Sequence, residues 1–300
     1  MAKQPKPVPQ MTFAQFEKAF PNEEACKSYL QARRWPEQVK CPRCGESDRV
    51  HSVKSMPFKW QCYSCTPGSG YRFSVIAGTI FENTNKSLRE WFRVVHLMLA
   101  SKKGMSALQI QRMMGFGSYE TAHSMCHKIR AALIEPPAKL GGIVEVDETY
   151  IGGSNRNRHW DKKQPGTGVA GKAIVVGAIK RKGNVIARVI NNTDTETLDS
   201  FVRHAVSENV GLIVTDEHSG YRKLKEDFPH AFVKHAKKQY VDGVVHTQTI
   251  DSFWSLLKRG IMGSFHKVIR KYLPLYVAEF QFRYNNRNNR DIFAAAIAAA

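Results

Sequence analysis

The stretch IVEVDETYIGG, residues 143–153, alternates apolar residues with acids and stops at two glycines. A period of two is the mark of an extended strand, so Glu145 and Asp147 share one face and Glu148 takes the other. In a strand covered on both sides an isolated carboxylate is costly unless a cation or a hydrogen-bond donor neutralises it. A divalent metal would do so.

The segments around this strand extend the pattern. KAIVVGAIK and NVIARVI read as two further strands joined by a hairpin turn at Arg181–Gly183, which makes three strands in an antiparallel meander. ETLDSFVRHAVSE follows as an amphipathic helix, GLIVTDEH as a short buried strand, a brief helix spans about Tyr221–Asp227, AFVKHA is a further strand, and a helical stretch follows His246. The order βββαβαβα predicts an α/β catalytic domain over residues 139–288 with the layout of a ribonuclease-H-like fold. Asp216 lies where the apolar run LIVT stops and the chain turns, the usual place for ligand-facing residues on an open sheet. Its neighbours Glu217 and His218 are expected at the rim or as caps. Asp251 follows 35 residues later, and Asp251, Trp254, Leu257 and Lys258 fall at helical spacing, so one face is expected to carry an acid, an aromatic and a base.

Upstream, CPRC at 41–44 and CYSC at 62–65 are separated by 17 residues, a spacing that suits a four-cysteine zinc ribbon. Cys41, Cys44, Cys62 and Cys65 are therefore expected to hold one structural Zn2+, which supplies folding energy that so short a unit lacks. A ribbon is predicted over 37–84. Around it, Arg43, Lys54, Lys59, Trp60, Tyr71 and Arg72 stand either toward DNA or as a solvated rim. The other two of the six cysteines, Cys26 and Cys126, sit in helical, apolar surroundings and read as buried inert thiols. Residues 1–36 are expected to hold a tail and two bracing helices, the second capped by Asn22 and ended by Trp35-Pro36.

LREWFRVVHLMLA is amphipathic, and SALQIQRMMGFGSYETAHSMCHKIRAAL reads helix, glycine-containing turn, helix. This predicts a helix-turn-helix within 85–138. Ser118, Tyr119, Thr121, His123 and His127 are then expected toward a major groove, and Lys128 and Arg130 toward phosphates; a plain packed helix pair gives the same pattern. The C-terminal HKVIRKYLPLYVAEFQFRYNNRNNRDIF predicts a helix broken at Pro274 and continued to about Tyr284, with a frayed polar and alanine tail over 289–300.

The formal net charge of +19 favours a polyanionic partner, with nucleic acid first. The absence of a long apolar run and of an apolar signal core sets the expectation of a cytoplasmic, nucleoid-associated protein with no membrane partner.

DETYIGG, TDEHSGY and HTQTIDSFWSLLKRGIMGSFH, preceded by the paired CxxC motifs, resemble insertion-sequence transposases of the DDE superfamily, in particular the insertion-sequence 1595 (ISXO2-like) type. The likeness runs from about residue 13 to 288. It implies that Asp147, Asp216 and Asp251 form the metal-binding triad and that Lys258 is the basic residue placed near DNA. It also implies binding to the element's terminal inverted repeats, hydrolysis at those ends, and attack of the freed 3′-hydroxyl on target DNA by a homo-oligomer in a synaptic complex. Two Mg2+ or Mn2+ ions suit such hard oxygen ligands. Asp147 is assigned to bridge them, with Asp216 on one and Asp251 on the other. Where members of the group commonly read HTNTIE, this chain has Gln248 and Asp251. Asp is one methylene shorter than Glu, a difference in reach of roughly 1.5 Å.

His246 and His266 flank the third acid and stand either near the scissile phosphate or as ordinary surface or core residues. Trp254 is expected in the core, and Glu145 in a supporting or salt-bridged role. The basic runs KRKG at 180–183 and KHAKKQ at 234–239 either track phosphates or are solvated turns. The rival reading is a catalytically impaired, transposase-derived DNA-binding protein.

Overall fold

The computed structural model describes residues 11–65, 68–153, 159–162, 171–233 and 246–300. The basic run at 234–239 and the end of the strand expected in AFVKHA lie outside the described residues. Two compact units emerge, one reaching Leu133 and including Arg287–Ala300, the other Ile134–Asn286.

In the first unit, α1 (Phe13–Ala19) starts from a capping box in which Thr12 and Gln15 exchange hydrogen bonds. Helix α2 (Glu23–Arg34) is capped by Asn22, whose Oδ1 accepts the Ala25 N–H, and it ends at Trp35 before Pro36. Strands β1 (Val50–Ser52), β2 (Lys59–Cys62) and β3 (Tyr71–Ser74) form an antiparallel sheet in that order. Arg34 ties α2 to the ribbon by donating to the carbonyls of Val75 and Ala77. Trp60 packs on Trp35 and Phe73 at 5.2 and 6.0 Å between ring centroids. Helices α3 (Leu88–Ala100), α4 (Ala107–Met114) and α5 (Tyr119–Ala132) complete this part.

The alanine-rich C-terminus is not a frayed tail. It forms a helix over Ile292–Ala299, capped by Asp291, and the Ala300 carbonyl accepts the Ile80 N–H at 2.9 Å. Phe293 packs against Phe92 and Phe20 at 5.5 Å in both cases. Phe293 and Ile297 are 3% and 1% exposed, and each fully buried side chain of this size contributes roughly 1.5–3 kcal/mol. Sparse but well-placed apolar residues thus override a low-complexity appearance.

The second unit is built on a five-stranded sheet of order β6-β5-β4-β7-β8, from β4 (Ile143–Ile151), β5 (Ala173–Lys180), β6 (Val185–Ile190), β7 (Leu212–Thr215) and β8 (His230–Phe232). The pairs β4–β5 and β5–β6 are antiparallel; β4–β7 and β7–β8 are parallel. Helix α6 (Thr195–Ala205) and the 3-10 turns Ser219–Glu226 cover one face, where Val144, Val146 and Val176 meet Leu198, Phe201 and Tyr221. The other face receives α7 (Gln248–Gly260) and α8 (Leu273–Asn285), with Val175, Ile179 and Val185 against Ile250, Phe253, Trp254 and Phe280. Pro274 starts α8 instead of breaking a longer helix. The first turn needs no amide donor there, so proline fits it. The open edge of β6 is sealed by side chains: Asn285 and Gln281 accept the Val185 and Ala187 N–H groups, each at 2.8 Å.

Candidate metal centres and active site

The ribbon cysteines are the best-formed cluster. Gly45 turns with φ of 76°, which lets its N–H reach the Cys41 carbonyl at 2.9 Å, while the Cys41 N–H donates to Glu46. This knuckle and the β2 end of the hairpin bring the four sulfurs within 4.8 Å of one another. Cys41 and Cys65 lie 3.5 Å apart and Cys44 and Cys62 3.7 Å apart. A tetrahedron with Zn–S bonds of about 2.3 Å has sulfurs about 3.8 Å apart, so the donors fit one zinc ion. Nearby, Arg43 lies 3.7 Å over the Tyr71 ring, and Lys54, Lys59 and Arg72 are exposed. Trp60, 7% exposed, belongs to the core and does not face outward. Cys26 and Cys126 are buried, and burial pushes the Cys26 thiol up to about 12.

On α5 the expected DNA-facing residues divide. Ser118 is the N-cap and accepts the Glu120 N–H, so its hydroxyl serves the helix start. Tyr119 and Lys128 are exposed and Thr121 is half-buried. Tyr119, His123 and His127 stack along one ridge, with centroid separations of 5.6 and 4.1 Å. Arg130 corrects the expectation: it is 1% exposed on the buried stripe with Met125, Cys126 and Ile129, and it cannot meet a phosphate from there. A net-charge argument counts such a residue as surface when its long stem belongs to the core.

In the second unit Asp147 sits mid-strand on β4, opposite Gly177 of β5. Asp216 directly follows β7, the parallel neighbour of β4, and its Oδ1 accepts the His218 N–H at 3.0 Å. Asp251 lies in the first turn of α7, exposed. Burial first, and then the charges of Glu148 and Asp216 with a smaller contribution from Asp251, push the Asp147 carboxyl up to about 7. Asp147 therefore feels the other two aspartates. The three do not form a single-ion cage, because the four cysteines are the sole set of three or more such donors within one ion's reach among the described residues. The like charge that helps to raise the Asp147 carboxyl is of the kind a divalent cation would offset.

Two contacts escaped the sequence. Trp254 donates its indole N–H to Asp147 Oδ2 at 2.8 Å, across 107 residues. Tyr221 donates to Glu148 Oε2 at 2.8 Å, with His218 Nε2 4.0 Å from the same carboxylate. His218 also caps the 3-10 turns by accepting the Gly220 N–H. Trp254 and Leu257 turn to the core, whereas Asp251 and Lys258, two turns apart, are exposed, so the four do not share one face as expected. His266 is exposed in a positive-φ conformation of 59°. Arg181 of the KRKG turn points inward to Glu145, leaving Lys180 and Lys182 to solvent.

Both regions match models of one group. Residues 139–285 match the ISXO2-like transposase domain and residues 21–67 the transposase zinc-ribbon domain. The chain belongs to the insertion-sequence 1595-type, ISXO2-like transposase family with an N-terminal zinc ribbon. It is 26% identical over 279 residues, 89% of its own length and 92% of the relative's, to an uncharacterized protein in transposable element ISH50 of Halobacterium salinarum. A simian T-cell lymphotropic virus intasome, solved by cryo-electron microscopy in complex with a PP2A regulatory subunit, aligns at 14% identity over 64% of this chain and 65% of that chain, with a TM-score of 0.29, too low to bear on the fold. Among the described residues no helix is long and apolar enough to cross a membrane.

Proposed function

We propose that this protein is the DNA transposase of an insertion sequence, binding the element's terminal inverted repeats and carrying out metal-dependent hydrolysis and strand transfer at one site. The observation that carries it is that Asp147 lies on a central strand, Asp216 directly after its parallel neighbour, and Asp251 on a helix tied to that central strand. The sheet order, three antiparallel strands followed by two parallel ones, supports a ribonuclease-H-like domain. The α4–α5 pair with its left-handed Gly115 cap supports a helix-turn-helix, with Tyr119, Thr121 and Lys128 as its DNA-contacting residues and Ser118 as its cap.

Asp147, Asp216 and Asp251 would hold Mg2+ or Mn2+, and bound ions would supply an activated water and a stabilised leaving oxygen for in-line displacement at phosphorus. The chain itself does the placing. Asp147 is central and is oriented by the Trp254 indole; Asp216 is fixed by the turn that follows β7; Lys258 stands on the exposed side of α7 with Asp251, where an ammonium can meet a DNA phosphate. No side chain needs to act as a nucleophile, so the 3′-hydroxyl of cut DNA can replace water in a second displacement. The partners are double-stranded DNA, as element ends and as target, and further copies of the chain in a synaptic complex; the setting is the cytoplasm and its nucleoid.

Pre-nicked end DNA incubated with the protein and Mn2+ tests this reading. Joined products that disappear in Asp147→Ala are expected. Retained end binding with no product from either protein would establish the DNA-binding rival instead.

A further inference from the structure

Helix α7 starts without a cap of its own. Thr247, at its N-cap, makes no side-chain hydrogen bond to the first turn, although the leading N–H groups of any helix need acceptors. The acceptor comes from a strand over a hundred residues away. Glu145 of β4, 0% exposed, accepts the backbone N–H of Thr249 at 2.8 Å and of Ile250 at 3.1 Å on Oε2, and the Thr249 hydroxyl at 2.8 Å on Oε1. Arg181, in the β5–β6 turn, donates Nε to the same Oε1 at 2.7 Å and Nη2 to the His246 carbonyl at 2.9 Å. One guanidinium thus holds both the carboxylate and the residue leading into the helix. A carboxylate offers about four acceptor positions, and four donors already fill them, so Glu145 is committed to α7 and not to an ion.

Trp254, one turn beyond Ile250, donates to Asp147 on the same strand face. Helix α7 is therefore fastened to β4 at Glu145 and again at Asp147, and Asp251 lies between the two fastenings. We propose that Glu145, neutralised by Arg181, is a positioning residue: it sets where α7 lies along β4 and hence where Asp251 stands relative to Asp147. The inference rests on the carboxylate site proposed above. An aspartate in the third position reaches less far than a glutamate, so the helix itself must supply the placement. A misplacement of about 1 Å costs on the order of 10²-fold in rate.

The test uses the full-length chain. Its five tryptophans give five indole N–H signals in a nitrogen–proton spectrum, and Trp254→Phe identifies the one bonded to Asp147. Glu145→Ala is expected to shift the Trp254 signal upfield and speed its exchange with solvent while leaving the other four in place. Mn2+-dependent strand transfer should fall about 10²-fold with end-DNA affinity unchanged. Glu145→Gln keeps one acceptor oxygen and should restore part of both. A Trp254 signal that is unmoved in both variants would overturn the proposal, as would equal loss of rate and DNA affinity. Should Glu145→Ala lose all five signals by unfolding, the Gln variant decides by the same criteria. A wild-type protein without strand transfer, whose Trp254 signal still responds to Glu145→Ala, removes the catalytic reading and leaves the positioning role standing.

Discussion

The ribbon cysteines and the aspartates of the proposed site are gathered in opposite ways. Four cysteines, 24 residues from first to last, close to within 4.8 Å of one another through a local hairpin. Thiols can be neutral in the absence of metal, so nothing opposes their assembly. The aspartates are spread over 104 residues from Asp147 to Asp251, and burial first, then the charges of neighbouring carboxylates, raise the Asp147 carboxyl. Each is accordingly held by something else: Asp147 by Trp254, Asp216 by the His218 amide, and the first turn of α7 by Glu145. The cysteines are brought together by a local hairpin, whereas the aspartates are set in place by residues other than themselves.

The contrast predicts effects of different size and sign. Removing zinc with a strong chelator should release about one ion per chain and unfold the ribbon, since structural zinc contributes roughly 10 kcal/mol in small modules. Release of none, by a metal-sensitive dye, would undo that assignment. On the carboxylate side, Gly177→Ala should act through Trp254, because a Cβ there would lie 2.7 Å from the indole ring. Overpacking of this kind costs about 1–3 kcal/mol, and displacement of the indole from Asp147 should lower strand transfer by one to two orders of magnitude. A variant as active as wild type would show that the indole contact does not matter.

A smaller effect carries the opposite sign. Asp147→Asn removes a buried charge facing other carboxylates while keeping an acceptor for Trp254, so it should raise the thermal midpoint at pH 8, without added divalent ions, by a few degrees, at about 2–4 °C per kcal/mol for a unit of this size. The matching change in the ribbon, Cys62→Ser, should lower it. Smallest is a pH effect on α5. Burial, then His123 and Arg130, bring the His127 imidazole down to about 4. The fold thus favours the neutral ring; its contribution is complete above about 6.5 and is lost as pH falls toward 4. His127→Gln should flatten that part of the acid-side melting profile.

What could be read from the sequence was local. The Asn22 cap, the helix end at Trp35-Pro36, the CxxC spacing and the period of two that puts Glu145 and Asp147 on one face depend on residues a few positions apart. Hidden contacts were long-range. No pattern within the KRKG turn says that Arg181 turns inward while its lysine neighbours do not, and nothing near Asp147 names Trp254. Arg130 and the C-terminal helix failed for a related reason: charge and low complexity describe composition, whereas burial depends on which distant apolar surface is available.

The most direct test of the carboxylate site is a count of bound Mn2+ by electron paramagnetic resonance on the zinc-loaded chain, with an end-DNA fragment present. Two ions per chain are expected in the wild type, one in Asp251→Ala and none in Asp147→Ala. Equal Mn2+ binding by all three proteins would contradict the account.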